Sequence, residues 1–289
     1  MSEQAAVVTG SVAQVPMDVA EELGIEIVPL VITVNGKEYL DGINITPGEL
    51  YQKMRTDQLE VKTAAPTIGG YYEAYKKEME RGVRQIVCIP LSQKMSSDHS
   101  SAVNAANLFQ ADFPDIKVVV IDCRRVCVPQ GLICIEAAER LKAGEAFEDV
   151  VAYLDAEWPK TGLFAALDTL KYLNAGGRIG KAASLLGSSL HILPVISIAS
   201  DDGIISPAAV LRRNDKVIPT LISLVKERTA GYKKIRLGVA HADELQRAEE
   251  LREEFLKVFP GTDIAIDEFT PVMGAHTGPG LLGVGYLYE

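Results

Sequence analysis

Residues 85–143 read QIVCIPLSQKMSSDHSSAVNAANLFQADFPDIKVVVIDCRRVCVPQGLICIEAAERLKA, and this stretch decides the fold class. Gln85 to Ile89 is an apolar run of strand length, and Ser97 to Phe109 has the length and spacing of a helix. The pair then repeats, with a strand over Lys117 to Asp122 and a helix over Gly131 to Ala143. Such alternation predicts a mostly parallel sheet covered on both faces, because each strand must cross over through a helix to return in the same direction. Upstream, Ala5 to Thr9 reads as a strand, Pro16 to Glu22 as a short helix and Ile25 to Val34 as an extended stretch ending in an Asn35-Gly36 turn. Thr46-Pro47-Gly48-Glu49 combines a capping hydroxyl, a proline at the first helical position and a reciprocating glutamate, so a helix starts there and runs to about Arg55. Pro66-Thr67 opens a tyrosine-rich helix that ends at Gly82.

Downstream the texture changes. A connecting helix over Phe147 to Trp158 leads to Pro159-Lys160-Thr161-Gly162, where a boundary between two domains, 1–160 and 161–289, is expected. Leu163 to Leu167, Leu193 to Ser200, Ala208 to Arg212 and Ile235 to Ala240 read as strands, with Asp201-Asp202-Gly203 as a turn. Helices are expected over Asp215 to Thr229 and Asp243 to Phe259, the latter with Leu245, Ala248, Leu251, Phe255 and Phe259 on one apolar face. The second half is therefore a mixed-sheet α/β unit, and Leu281 to Tyr288 reads as its last strand.

The chain has 289 residues, 47% of them apolar, enough to fill two cores. Its longest apolar runs, such as Ile192 to Ala199, are far shorter than the roughly 18–20 residues that cross a bilayer, so no integral membrane segment is expected. The N-terminus lacks the pattern of a secretory signal, which makes the cytoplasm the expected compartment. A net charge of −10 with scattered Lys and Arg argues against nucleic acid as a partner. Cys88, Cys123, Cys127 and Cys134 form no C-x-x-C pair and lie in or beside apolar runs, so core packing is expected rather than a disulfide or metal role.

Three hydroxyl-rich turns stand where first-half strands end: Thr9-Gly10-Ser11, Thr63-Ala64-Ala65-Pro66-Thr67, and Ser92-Gln93-Lys94-Met95-Ser96-Ser97. Ligands of open parallel sheets bind beyond the carboxyl ends of strands, and helix N-termini attract anions, so a small anionic group suits these turns. The same residues also suit plain helix capping. Gly176-Gly177-Arg178 holds an arginine at a flexible corner, either for a carboxylate or phosphate or simply in solvent after a helix end. Near the C-terminus, Gly274, His276, Thr277, Gly278, Gly280, Gly283 and Gly285 place a histidine in a glycine-dense segment. That segment reads as a loop whose bare backbone approaches a ligand, or as a tight turn before the last strand. No P-loop, dinucleotide fingerprint or G-x-S-x-G elbow is present, although Ser96, His276 and Asp122 are of the types that make a hydrolytic triad.

Taken in order, TAAPT at 63–67, LSQKMSS at 91–97, IDCRRVCVPQGL at 121–132, LKYLNAGGRIGK at 170–181 and HTGPGLLG at 276–283 resemble the DegV family of bacterial fatty-acid-binding proteins, carriers for a fatty-acid kinase. The resemblance runs through nearly the whole chain. It implies a two-domain DegV-like α/β fold and a long-chain fatty acid held between the domains, its tail in an apolar tunnel. It implies no cofactor and no metal, a non-catalytic role, and a separate ATP-dependent fatty-acid kinase as partner. Carried over by motif, Thr63 and Ser96 bind the carboxylate with His276 beside them, Ser92 and Ser97 are second choices, Arg178 faces the partner or gates the site, and Gly278 and Gly280 supply loop backbone. An enzyme or enzyme subunit for a small polar substrate, related to dihydroxyacetone-kinase architecture, is the alternative.

The chain departs from the family pattern at four places. Gly10 replaces an aspartate, Ala64-Ala65 a Ser-Gln pair, Ser97-Asp98-His99 a Gly-Thr-Tyr run, and Leu193 a lysine. These changes alter polar groups near the expected headgroup site and imply a rewired hydrogen-bond network.

Overall fold

In a computed structural model, which describes residues 5–56, 59–157, 160–187, 192–199 and 201–289, the strands form three sheets. The first is parallel, in the order β2-β1-β6-β7, from β1 (Ala5–Gly10), β2 (Ile25–Val28), β6 (Gln85–Ile89) and β7 (Lys117–Val120). Its alternating side chains serve two cores. Ala6, Val8, Ile86 and Cys88 pack under α3 (Ile68–Glu80) and α4 (Asp98–Asp112). Val7, Val87 and Ile89 pack on the other face, under α1 (Met17–Leu23), α5 (Val128–Lys142) and α6 (Phe147–Glu157). Burial on both faces is why these strands read as continuous apolar runs.

The second sheet is mixed, in the order β10-β9-β8-β13-β11-β12. It comprises β8 (Thr161–Ala166), β9 (Leu193–Ile198), β10 (Ser206–Leu211), β11 (Ile235–His241), β12 (Ile264–Glu268) and β13 (Leu282–Tyr288). Phe164 and Ala166 on one face join the core under α8 (Val217–Arg228) and α9 (Leu245–Val258). Leu163 and Ala165 on the other face join a core that also contains Val12, Leu30 and Leu91 from the first half. That shared core is the seam between the two sheets. All four cysteines are free and buried, in the core as their surroundings predict.

Several expectations hold closely and others need correction. Thr46 and Glu49 exchange backbone hydrogen bonds of 3.3 and 2.9 Å at the start of α2 (Pro47–Thr56). Asn35 and Gly36, both at positive φ, close a two-residue hairpin. The extended stretch from Ile25 to Val34 is two strands in different sheets. Pro29 has no N–H to continue the ladder, and β3 (Val31–Val34) turns away to pair with β4 (Lys37–Leu40) and β5 (Val61–Ala64) as a small antiparallel sheet. Helix α5 begins at Val128, ahead of Gly131, because Pro129 is accommodated in a first turn whose N–H groups have no partner anyway. Leu245 is 55% exposed although Ala248, Leu251, Phe255 and Phe259 are buried: it is the first residue of α9, ahead of the turns that meet the sheet. The boundary expected at Pro159 and the strand end expected at Ser200 fall outside the described residues.

Candidate functional site

Within the seam lies a cavity of about 370 Å³, inside the ~300–1,000 Å³ range of small-molecule sites. Leu30, Leu91 and Val126 line it from the first half and Leu163, Ile196 and Ile198 from the second, so neither half makes it alone. Met95 and Met273, unbranched and adaptable, add to the wall. The polar residues are few: Thr63, Ser96, Ser97, Ser101, Arg178, His276 and Thr277.

One pair of these polar residues is bonded directly, and Arg178 and Ser96 are held by backbone groups. Thr63, on β5, places Oγ1 2.8 Å from His276 Nε2. Arg178 donates from Nε to the Met95 carbonyl at 3.1 Å, next to Ser96, and from NH1 to Gly176 O at 2.6 Å. Ser96 Oγ accepts the Asp98 N–H at 3.2 Å, which leaves its own proton for another acceptor. The hydroxyls of Ser97 and Ser101 have no partner among the described residues. Ser101 is absent from the expected set, yet its spacing of four from Ser97 puts both on one face of the first turn of α4, a signal that the sequence does carry.

His276 sits in the last turn of α10 (Pro271–Thr277), not in a loop. Thr270 caps that helix and Pro271 opens it, a start pattern hidden among the glycines. The glycines of this segment pack closely against protein side chains. A Cβ on Gly274 would lie 2.5 Å from the Tyr51 ring, one on Gly278 would overlap the Tyr172 ring, and one on Gly280 would overlap an Asp168 oxygen. Gly278 and Gly280 also have φ of +71° and +94°, which only glycine adopts without strain. Neither lines the cavity. Gly176 is the glycine that serves the histidine, since a Cβ there would overlap His276 Nδ1.

Burial first, and the Arg178 charge second, push the His276 imidazole down to about 4, so the ring is neutral at pH 7. Nδ1 is buried and without a partner. A proton on Nδ1 would strand a buried N–H donor, whereas a proton on Nε2 is donated to Thr63 Oγ1. That tautomer frees the Thr63 hydroxyl proton to point onward, so the pair is a two-step donor chain for an anion.

Ser92 stands apart. It is fully buried, its hydroxyl donates to Gly203 O at 2.8 Å, and it is not among the residues that line the cavity. The triad arrangement is not formed either, because Asp122 Oδ1 accepts the Gln93 and Arg124 backbone N–H groups while His276 Nδ1 faces no acid. Two of the sequence departures meet in space. The Asp98 carboxylate, fully buried and held by Tyr71 OH at 2.7 Å and Leu91 N–H at 3.0 Å, lies 3.3 Å from where a Cβ on Gly10 would be. The acid near the end of β1 is thus supplied from α4.

The DegV family model, described as an uncharacterised protein family, matches residues 4–289. The chain belongs to the DegV family. A DegV domain-containing protein of Streptomyces coelicolor is 33% identical over 285 residues, 98% of each chain. A fatty-acid-binding DegV protein of Thermus thermophilus superposes with a TM-score of 0.91 at 28% identity, covering 99% of this chain and all of the other. A stearic-acid-binding protein of Eubacterium ventriosum gives 0.89 at 28% identity, over all of this chain and 98% of its own. The parallel first sheet and mixed second sheet are thus the DegV fold. Among the described residues no helix is long and apolar enough to cross a membrane, and no group of three His, Cys, Asp or Glu is placed to hold a metal ion.

Proposed function

We propose that this DegV protein is a non-catalytic carrier that encloses a long-chain fatty acid between an N-terminal domain, 1–160, and a C-terminal domain, 161–289, and presents the carboxylate to a separate ATP-dependent fatty-acid kinase in the cytoplasm. The kinase would then join a carboxylate oxygen to the terminal phosphorus of ATP, with ADP leaving, to give an acyl phosphate. The observation that carries the reading is a cavity walled by Leu, Ile, Val and Met that reaches several hydroxyls, one of them bonded to a neutral imidazole. The fatty acids bound by the structural relatives support it.

In this reading the tail supplies affinity and the polar set supplies orientation. A chain of about fifteen methylenes at ~0.8 kcal/mol each gives roughly 12 kcal/mol gross, before the ligand's lost freedom is subtracted. Thr63 donates to the carboxylate with His276 behind it, and Ser96 donates beside them. Ser97 and Ser101 are further donors on α4, and Arg178 stands at the kinase-facing edge. Ser92, Gly278 and Gly280 act through the framework. The rival reading, an enzyme for a small polar substrate, calls for a polar pocket, and the apolar wall favours the carrier.

Native mass spectrometry of the wild type, Thr63→Ala and His276→Ala, followed by phosphorylation assays with the partner kinase, tests the proposal. A fatty-acid mass retained in all three, with phosphorylation lost in the two variants, is the expected result. Equal turnover in all three would remove Thr63 and His276 from the mechanism.

A further inference from the structure

A second cavity, of about 720 Å³, shares Thr63, Arg178 and His276 with the apolar one, so the same three side chains border both. Its character is different. Lys62 and Lys171 line it together with Arg178, and no acidic residue does among the described residues. Three cations around one acid-free hollow stand out in a chain of net charge −10. Lys171 and Arg178 form no ion pair with described residues. Lys62 contacts Glu60 at 2.6 Å, but both side chains are more than 65% exposed, a setting in which such pairs hold little. The hollow is thus an electropositive antechamber in which Lys171 and Arg178 face no described acid and Lys62 has only an exposed partner.

From this juxtaposition we infer that the antechamber is a binding site for a phosphoryl dianion, specifically the head of an acyl phosphate whose tail still lies in the apolar cavity. The inference rests on the fatty-acid reading above and extends it to the product. A carboxylate placed at Thr63 and His276 lies at the partition between the two cavities, so a group added to its oxygen extends into the second. Lys62, Lys171 and Arg178 then meet the new charge with charge-assisted hydrogen bonds, which are stronger than neutral ones. A carboxylate alone, one charge and several atoms shorter, depends on Lys62 and Lys171 much less.

Binding of palmitate and of hexadecylphosphonate, a non-hydrolysable substitute for the acyl phosphate, tests this in the wild type, in a Lys62→Ala/Lys171→Ala double variant and in Lys94→Ala. Lys94 lines a different crevice that also borders Arg178. The expected result is phosphonate affinity reduced about tenfold or more in the double variant, the scale of one lost contact to a charged group. Palmitate affinity changes less than about twofold there, which also shows that the variant is folded, and Lys94→Ala binds both as the wild type does. An unchanged ratio of phosphonate to palmitate affinity in the double variant overturns the assignment and leaves the fatty-acid reading standing. A selective fall in phosphonate affinity in Lys94→Ala instead moves the anion to the other crevice and also overturns it. Inorganic phosphate bound as tightly as the phosphonate makes the hollow a free-anion site, against the acyl phosphate. A wild type that binds neither lipid sinks both readings at once.

Discussion

Replacement of His276 by glutamine converts the burial of an imidazole into a measurable pH dependence. In the fold the ring titrates at about 4, lowered from 6.5 by burial and by Arg178. Between those values the unfolded chain binds a proton that the folded chain refuses, so this residue's contribution is intact above pH 6.5 and is lost as pH falls towards 4. At about pH 5 the unfolded imidazole is nearly all protonated and the folded one only roughly one-tenth so, which costs the fold about 2 kcal/mol relative to about pH 7.5. Asp98 and Asp267, whose carboxyls burial pushes up to about 6, act in the opposite sense and gain stability as pH falls through that range. A comparison of wild type with His276→Gln removes them, because both chains carry both acids. Glutamine keeps an N–H near the Nε2 position for Thr63 and does not titrate. Urea denaturation at about pH 7.5, 6 and 5 should show the stability gap between the two proteins shifting by about 2 kcal/mol against the wild type at the acid end. A gap that stays constant over that range would refute the claim that the ring is buried neutral.

Other perturbations probe the same architecture. Gly176→Ala should force the His276 ring off Thr63, with a loss of about 1–3 kcal/mol in thermal unfolding and a phosphorylation defect like that of His276→Ala, while an unchanged imidazole NMR environment would contradict the close approach of backbone to ring. Ile196→Trp should fill the apolar cavity, so that organic extraction recovers little lipid from a protein that still melts cooperatively; undiminished lipid would place the ligand elsewhere. Gly10→Asp should set a second carboxylate against Asp98 and cost about 2–4 kcal/mol at neutral pH, with more than half recovered when Asp98→Asn is added. Additive effects of those two changes in urea denaturation would show that the carboxylates do not interact.

What the sequence alone determined is the order and type of the main elements. Gln85–Ile89 and Lys117–Val120 appear as runs because both faces of the parallel sheet are covered, and Thr46-Pro47-Gly48-Glu49 starts a helix because the cap is made within four residues. The motifs at 63–67 and 276–283 led to the DegV family and to the meeting of Thr63 with His276. Local signals could not tell a ligand-facing glycine from a protein-facing one, since both require the same missing Cβ. Only the packed chain shows Gly274 against Tyr51, Gly278 against Tyr172 and Gly176 against His276. Nor could spacing show that Ser92 is spent on Gly203, or that Gly10 and Asp98, far apart in the chain, share one patch of space. Tertiary structure alone decided the cavity, because an enclosed volume belongs to the wall that both halves of the chain make together and not to any residue in it.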